Sequence, residues 1–410
     1  MPSSPSEPPP FPGAGDDDTA SSSSTPVKVP AKRMPPPLPN LQGAAAEVRS
    51  LERHVCPECG GKGEWDPGKK ELVCPYCGNR FERVGPPPPS TAIEEHDLDE
   101  MLAKLGIKGS TVDTGTRRVQ CTNCHAVLVR SAETMAQHCD FCGSPELLDY
   151  TEVGSPIQPE SVLPAGISKE TAYHSLKDFL SARWFAPNDL KKRNMIDRIN
   201  RVYLPYWTFD SNAECQWSAD SGEYYYVDVD DTDAQGRRTT RREQRIRWTP
   251  VSGHVSTWFD DILVSGSQGL DVELLKKIEP FPTKDLVPYD TRYVSGWQVE
   301  HYQVPLLQAA QMGFGTMEAL LREMCGREVP GDTYRNLRID PEYSNKTFKH
   351  ILAPIWLLAY QYRNKTWQGA VNAVTGNTHA RFPLSPWKIA MVTVLSLIVL
   401  FVILHALGSR

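Results

Sequence analysis

Two small four-cysteine zinc ribbons, an α+β domain rich in antiparallel strands, and a single C-terminal transmembrane helix make up the fold class that the sequence predicts. Three observations predict it. Eight of the ten cysteines fall into CxxC pairs that recur with one spacing. Residues 155–385 alternate aromatic and β-branched runs with turn signals and a few helical patches, which is an α+β texture. Ile389–Leu407 is an unbroken apolar run.

Residues 1–50 carry PSEPPPFP, a DDD run, SSSST and MPPPLP, with almost no large apolar residue. They cannot bury enough surface to offset chain entropy and are expected to form a disordered tail. Such a tail serves as a solvated tether or as a polyproline II ligand for an aromatic groove, and the tether is the simpler role. It lacks the basic start and apolar stretch of a secretory signal. Over all 410 residues, 44 Lys and Arg against 50 Asp and Glu give a formal charge of −6. That excludes the strongly basic class that coats nucleic acid.

The first ribbon is placed at 51–85. Cys56-x2-Cys59 is followed, after fourteen intervening residues, by Cys74-x2-Cys77. The second is placed at 117–150, where Cys121-x2-Cys124 and Cys139-x2-Cys142 repeat the same spacing, so the pair reads as an internal duplication. Two CxxC turns joined by a short hairpin bring four thiolates to the tetrahedron that structural Zn²⁺ prefers. A closed thiolate shell leaves no position for water, so two structural and non-catalytic Zn²⁺ are expected. Gly60, Gly78 and Gly143 each follow the second cysteine of a pair, where a tight turn lets backbone N–H groups approach sulfur. Rubredoxin-type iron and redox CxxC chemistry are the competing readings; the gap and the matched quartets favour zinc. His54, His125 and His138 flank the quartets and are expected outside the shell. Cys215 and Cys325 stand alone in sequence and read as buried small residues.

The 86–116 linker holds an amphipathic helix: Ser90 or Thr91 suits its N-cap, Ile93, Leu98, Met101, Leu102 and Leu105 share a face, and Gly106 suits its end. The pattern CPECG, CPYCGNRF, EEHDLDEML and CDFCGSPELL resembles a family of uncharacterised bacterial double zinc-ribbon proteins. Their ribbons are of the transcription-factor-IIB type, and they are often labelled primosomal protein N′-like. The resemblance continues through RWFAPNDLKK, RVYLPYWTFD, RWTPVSGHV, FDDILV and TFKHILAPIW, covers most of 51–385, and carries over no catalytic residue. The long Pro/Ser tail departs from it. The helicase flavour of the label finds no support: a motor needs GxxxxGK followed by Ser or Thr. The nearest match, Gly63 to Lys70, ends in Lys, contains Pro67 and lies in the hairpin of the first ribbon.

Within 155–385, RVYLPYWTF (201–209) and HILAPIWLL (350–358) align Pro205 with Pro354 and Trp207 with Trp356, a candidate duplication of a β unit. YYYVDVDDTDAQGRRTTRREQRIRW reads as a long hairpin turning near Gln235-Gly236, with Asp228, Asp230, Asp231 and Asp233 on one arm. Arg237, Arg238, Arg241, Arg242, Arg245 and Arg247 lie on the other. Cross-strand charge pairing is the preferred account over tracking of a phosphate backbone. The cationic stretch 183–199 suits a solvated helix face or anionic lipid headgroups. Asp260-Asp261 is a metal pair or, more simply, a turn. ILAPIWLLAY (351–360) is too short for a span and is expected as core strand. HExxH, GxSxG and Gly-rich dinucleotide motifs are missing.

Ile389–Leu407 holds nineteen residues without formal charge, roughly 28 Å of helix and close to the hydrocarbon thickness. Trp387 and Lys388 lie where an interfacial aromatic and cation belong. The expectation is a single-pass, tail-anchored protein with its bulk in the cytoplasm, at the cell inner membrane if the chain is bacterial as the resemblance implies. Its partners are then the lipid bilayer, through Ile389–Leu407, and a protein. Residues 51–90 and 117–148 each balance Lys and Arg against Asp and Glu, and thiolate shells add negative charge, a poor surface for nucleic acid. A non-enzymatic interaction or scaffold module at the cytoplasmic face is expected. The alternatives are a membrane-tethered nucleic-acid binder and an enzyme with an unrecognised site in 155–385.

Overall fold

A computed structural model describes residues 54–82, 93–107, 116–131, 138–144, 147–149, 157–192, 199–232, 238–363 and 365–408. The expectations for the tail 1–50, the cap at Ser90 or Thr91 and the turn at Gln235-Gly236 lie outside them. The first Cys-rich unit is a three-stranded antiparallel sheet of β1 (Glu64–Asp66), β2 (Glu71–Val73) and β3 (Arg80–Phe81). Next come β4 (His96–Asp97) and α1 (Leu98–Ile107). The helix starts later than its periodicity suggests. His96 and Asp97 pair with Phe348 and Thr347 of a long strand, so Ile93 falls outside it, and the Asp97 carboxylate accepts from Glu100 N–H at 2.7 Å as the cap. The second Cys-rich unit is β5 (Thr116–Cys121), β6 (Val127–Ser131) and β7 (Leu147–Asp149).

The remainder is built on two β-α-β-β units. The first runs β8 (Ser161–Val162), α2 (Lys169–Ser181), the short α3 (Asn188–Lys192), β9 (Ile199–Thr232) and β10 (Arg238–Ser265). After α4 (Val272–Ile278), β11 (Val287–Pro288) and α5 (Thr291–Val294), the second runs β12 (Gln298–His301), α6 (Leu306–Glu328), β13 (Thr333–Tyr362) and β14 (Lys365–Asn372). β15 (Thr378–Ala380) and α7 (Pro386–Gly408) follow. β9 and β13 lie side by side, antiparallel, with Leu204 opposite Ala353. These are the same position of the two Pro-x-Trp repeats, so a local two-fold axis passes through that pair.

The hydrogen bonds repeat on both sides of the axis. β12 lies parallel to β9, with Gln298 beside Val202, as β8 lies parallel to β13, with Ser161 beside Ile351. Trp207 Nε1 donates to Val304 O at 3.0 Å, just before α6; Trp356 Nε1 donates to Ile167 O at 2.8 Å, just before α2. Gly266 N–H reaches Pro205 O at 2.8 Å, and Ala373 N–H reaches Pro354 O at 3.0 Å. The duplicated unit is therefore larger than the nine-residue likeness: each tryptophan ties its strand to the loop entering the helix of the other unit.

What breaks the symmetry is length. β9 runs 34 residues, roughly 110 Å of contour at about 3.3 Å each. Its outer half is flanked by β10 and by the first half of β13. Ala213, Cys215, Trp217 and Ala219 are buried on one face, against α6, while Glu214, Gln216 and Ser218 alternate onto the exposed face. α6 presents Ala309, Ala310, Gly313, Met317, Leu321 and Cys325, a stripe of small and apolar residues at helical spacing. Past Gly222, the last residue paired with β13, β9 and β10 continue as a two-stranded arm with Tyr224, Tyr225, Tyr226 and Ile246 exposed.

Both Cys-rich units share cores with this body. Trp65 and Leu72 pack with Ala165, Tyr203, Tyr293, Trp297 and Trp356. Cys121, Leu128, Phe141 and Cys142 pack with Leu163, Val202, Leu204, Tyr206 and α4. β6 also pairs with β12, placing Leu128 opposite Glu300, so the second unit extends the main sheet.

Candidate metal centres

Each quartet rests on two turns of one design. In the first, Gly60 N–H donates to Cys56 O at 3.0 Å while Cys56 N–H donates to Gly61 O at 2.8 Å. The same pair of bonds joins Gly78, Cys74 and Asn79, then His125, Cys121 and Ala126, then Gly143, Cys139 and Ser144. The fourth residue after each leading cysteine must then adopt left-handed backbone, and φ is 72° at Gly60, 74° at Gly78, 61° at His125 and 72° at Gly143. His125 thus takes the position that glycine holds in the other three turns, and this backbone duty accounts for its place beside the quartet. His54 is held between Glu82, 2.8 Å from Nδ1, and Thr291, 3.0 Å from Nε2. His138 is exposed.

The sulfurs converge as the spacing requires. All four of each quartet lie within 4.8 Å of one another. Cys56 to Cys77 is 3.6 Å and Cys59 to Cys74 is 3.4 Å; Cys121 to Cys142 is 3.5 Å and Cys124 to Cys139 is 3.6 Å. A tetrahedron with metal–sulfur bonds of about 2.3 Å has edges of about 3.8 Å, so one ion fits each quartet. Within each quartet the sulfurs divide, with Cys59, Cys77, Cys124 and Cys139 pushed up beside neighbouring sulfurs and Cys56, Cys74 and Cys142 held down. Burial raises the Cys56 thiol, but the backbone N–H groups of Cys59 and Glu58 outweigh it and hold it at about 6. The Cys124 and Cys139 thiols hold Cys142 well below the usual range. Phe141 N–H points at Cys139 Sγ, 3.4 Å away. With four sulfurs closing the shell, the chemistry available is cross-linking of the fold.

The two cysteines that stand alone in sequence meet in space: Cys325 Sγ of α6 lies 3.7 Å from Cys215 Sγ of β9, both fully buried. Sequence reasoning missed that contact because nothing local links them.

Asp210, Asp260 and Asp261 form a third acidic group. Lys349 occupies its interior: its Nζ is 2.8 Å from Asp261, 3.7 Å from Asp210 and 3.1 Å from Glu95. Asp261 lies at the bulge between Phe259 and Ile262 with φ of 53°, and its N–H donates to Asp210. Of the two readings of Asp260-Asp261, this geometry fits the turn, with an ammonium where a metal would stand.

On the arm, Arg242 lies opposite Asp228 and stacks over Tyr226, Arg247 lies opposite Glu223 and over Tyr225, and Arg241 reaches Asp231 at 3.5 Å. Among the described residues the arm thus forms one cross-strand ion pair, Arg241 with Asp231, while Arg245 reaches Glu243 of its own strand at 3.7 Å.

α7 stands apart from every core. Pro386–His405 has mean hydropathy 2.5 and none of it is buried. Its first turn is fixed to the body by Lys388, whose Nζ donates to Trp184 O at 2.8 Å, Ala186 O at 2.9 Å and Asn188 Oδ1 at 2.7 Å.

No family model and no solved structure matches the chain. Over 339 residues it is 26% identical to the uncharacterized protein YdjG of Bacillus subtilis (strain 168), a match covering 82% of this chain and 92% of that protein. A likeness of that length reaches beyond the 155–385 segment.

Proposed function

We propose that the chain is a membrane-anchored, zinc-stabilised scaffold without catalytic activity of its own, presenting the β9–β10 arm to a protein partner. The observation that carries this reading is α7: it is long and apolar enough to cross a bilayer, and no part of the described body covers it. Closed sulfur shells support two structural Zn²⁺, in ribbons of the kind that the spacing predicts. Thiolate ligands persist in a reducing compartment, which supports a cytoplasmic body. Acids interleaved with the arginines, Asp228 opposite Arg242 and Glu223 opposite Arg247, support a protein partner over nucleic acid for the arm.

The test uses the full chain. Elemental analysis of purified protein is expected to give two zinc per chain, and vesicle flotation is expected to retain it through a high-salt wash. Leu395→Lys with Val399→Lys adds about 2.5–3.5 kcal/mol of insertion cost per charge and should abolish flotation while leaving zinc content at two. Wild-type protein released by salt would overturn the anchor. One zinc or fewer, or an iron chromophore, would overturn the metal assignment.

A further inference from the structure

The turn between α2 and α3 exposes two large aromatics. Ala186 N–H donates to Arg183 O at 3.1 Å and closes the turn, while Ala186 and Pro187 are buried beneath it. Trp184 and Phe185 point outward as an edge-to-face pair, centroids 5.0 Å apart, and are 47% and 40% exposed. The turn is fastened to the start of α7. Ser385 N–H donates to Phe185 O at 2.9 Å, and the Lys388 ammonium spends its three donors on Trp184 O, Ala186 O and Asn188 Oδ1 while lying 5.6 Å from the Trp184 ring centroid. Leu384 and Trp387 are exposed beside them. Exposed apolar side chains thus come from two distant parts of the chain to one level, the level at which α7 leaves the body.

We propose that Trp184 and Phe185 enter the headgroup–acyl boundary of the bilayer that α7 spans, so that the body is seated on the membrane at two points and cannot swing about one helix. This rests on the reading of α7 as a span. Amphipathic aromatic rings favour that boundary, and indole carries both an apolar body and an N–H for the wet side. Lys388 does not reach for the headgroups here; it locks the aromatic turn to the helix, so the depth of Trp387 sets the depth of Trp184.

Hydroxyl-radical footprinting of the full chain in phosphatidylcholine–phosphatidylglycerol vesicles, read by mass spectrometry, tests this with an internal reference. Trp258 on β10 is 48% exposed, matched to Trp184, and lies on the polar face of the sheet with Glu214 and His254. Trp184 is expected to oxidise several-fold more slowly than Trp258, and Trp387 likewise. Equal rates at Trp184 and Trp258 with Trp387 protected would overturn the seating and leave the span standing. Trp387 oxidised as freely as Trp258 would overturn the span and the seating together. Protection of Trp184 that vanishes on dilution to one chain per vesicle would assign the patch to a second copy and overturn the lipid assignment.

Discussion

His125 shows how a residue's place can be legible while its reason is not. It is expected outside the sulfur shell, and its backbone shows why it stands beside it: a left-handed turn that three glycines fill elsewhere. That conformation costs an L-residue roughly 1–2 kcal/mol, partly offset by the extra freedom glycine has when unfolded. His125→Gly should therefore raise stability by about 1 kcal/mol. Thermal melts in detergent should shift upward with zinc content unchanged; a loss of one zinc would instead make His125 a ligand. Glu300 is a second residue that no motif announces. It is 1% exposed on β12, opposite Leu128, and burial pushes its carboxyl up to about 8 against the smaller pulls of Ser267, Gln303 and His301. With the folded value raised, the folded state holds the proton more tightly. Its contribution is complete below the ordinary carboxylate range and is lost as pH climbs toward 8. Glu300→Gln should flatten the pH dependence between 5 and 8 and gain on the order of 3–5 kcal/mol at the upper end. Parallel curves for the two proteins would refute the assignment.

At the scale of elements, α6 lies on β9 because one stripe of it is small. A Cβ added at Gly313 would stand 2.7 Å from Phe209 Cδ2, while one at Gly315, two residues on, meets nothing within 4 Å. The same substitution should then act in opposite directions. Gly313→Ala should cost about 1–3 kcal/mol by lifting the helix off the strand, and Gly315→Ala should gain about 0.5–1 kcal/mol from helix propensity alone. Chemical denaturation of the two variants side by side decides it, and a shared sign would show that α6 does not pack as described. Much of this layer was legible in the sequence. The Pro-x-Trp repeats, the charged hairpin and the apolar segment at 351–360 all fall on β9, β10 and β13, since period and turn residues are local signals. What pairs with what was not legible. That Leu204 faces Ala353 across a two-fold axis, and that Cys215 meets Cys325, depends on contacts between residues far apart in the chain. Local periodicity also misjudged the start of α1, because a distant strand claims His96 and Asp97 for its own edge.

For the molecule as a whole, the quartets were the most legible feature, and their embedding the least. Spacing alone groups Cys56, Cys59, Cys74 and Cys77, and Cys121, Cys124, Cys139 and Cys142. Nothing in that spacing says that Trp65 reaches the carbonyl of Ala165, that Ser295 bonds Gly63 O, or that Asn200 and Gln368 hold the backbone of Asp140 and Phe141. These contacts change what metal loss should do. A structural zinc in a small domain is worth about 10–16 kcal/mol, comparable with the 5–15 kcal/mol that holds a whole domain. If each unit stood free, chelation would unfold it and spare the rest. Because Trp65, Leu72, Phe141 and Leu128 belong to the cores of the main sheet, removing the ion exposes one wall of those cores as well. Chelator titration of the full chain in detergent should therefore show zinc release and tryptophan fluorescence changing together, since Trp297 and Trp356 share a core with the first unit. The two quartets should also differ in sensitivity. Cys121 is fully buried beneath the sheet edge and Cys59 is exposed, so Cys121→Ser should depress the melting temperature more than Cys59→Ser although each removes one ligand. Zinc lost without a change in the tryptophan signal would mean that the units are appended rather than built in, and that the shared core does not carry the stability assigned to it.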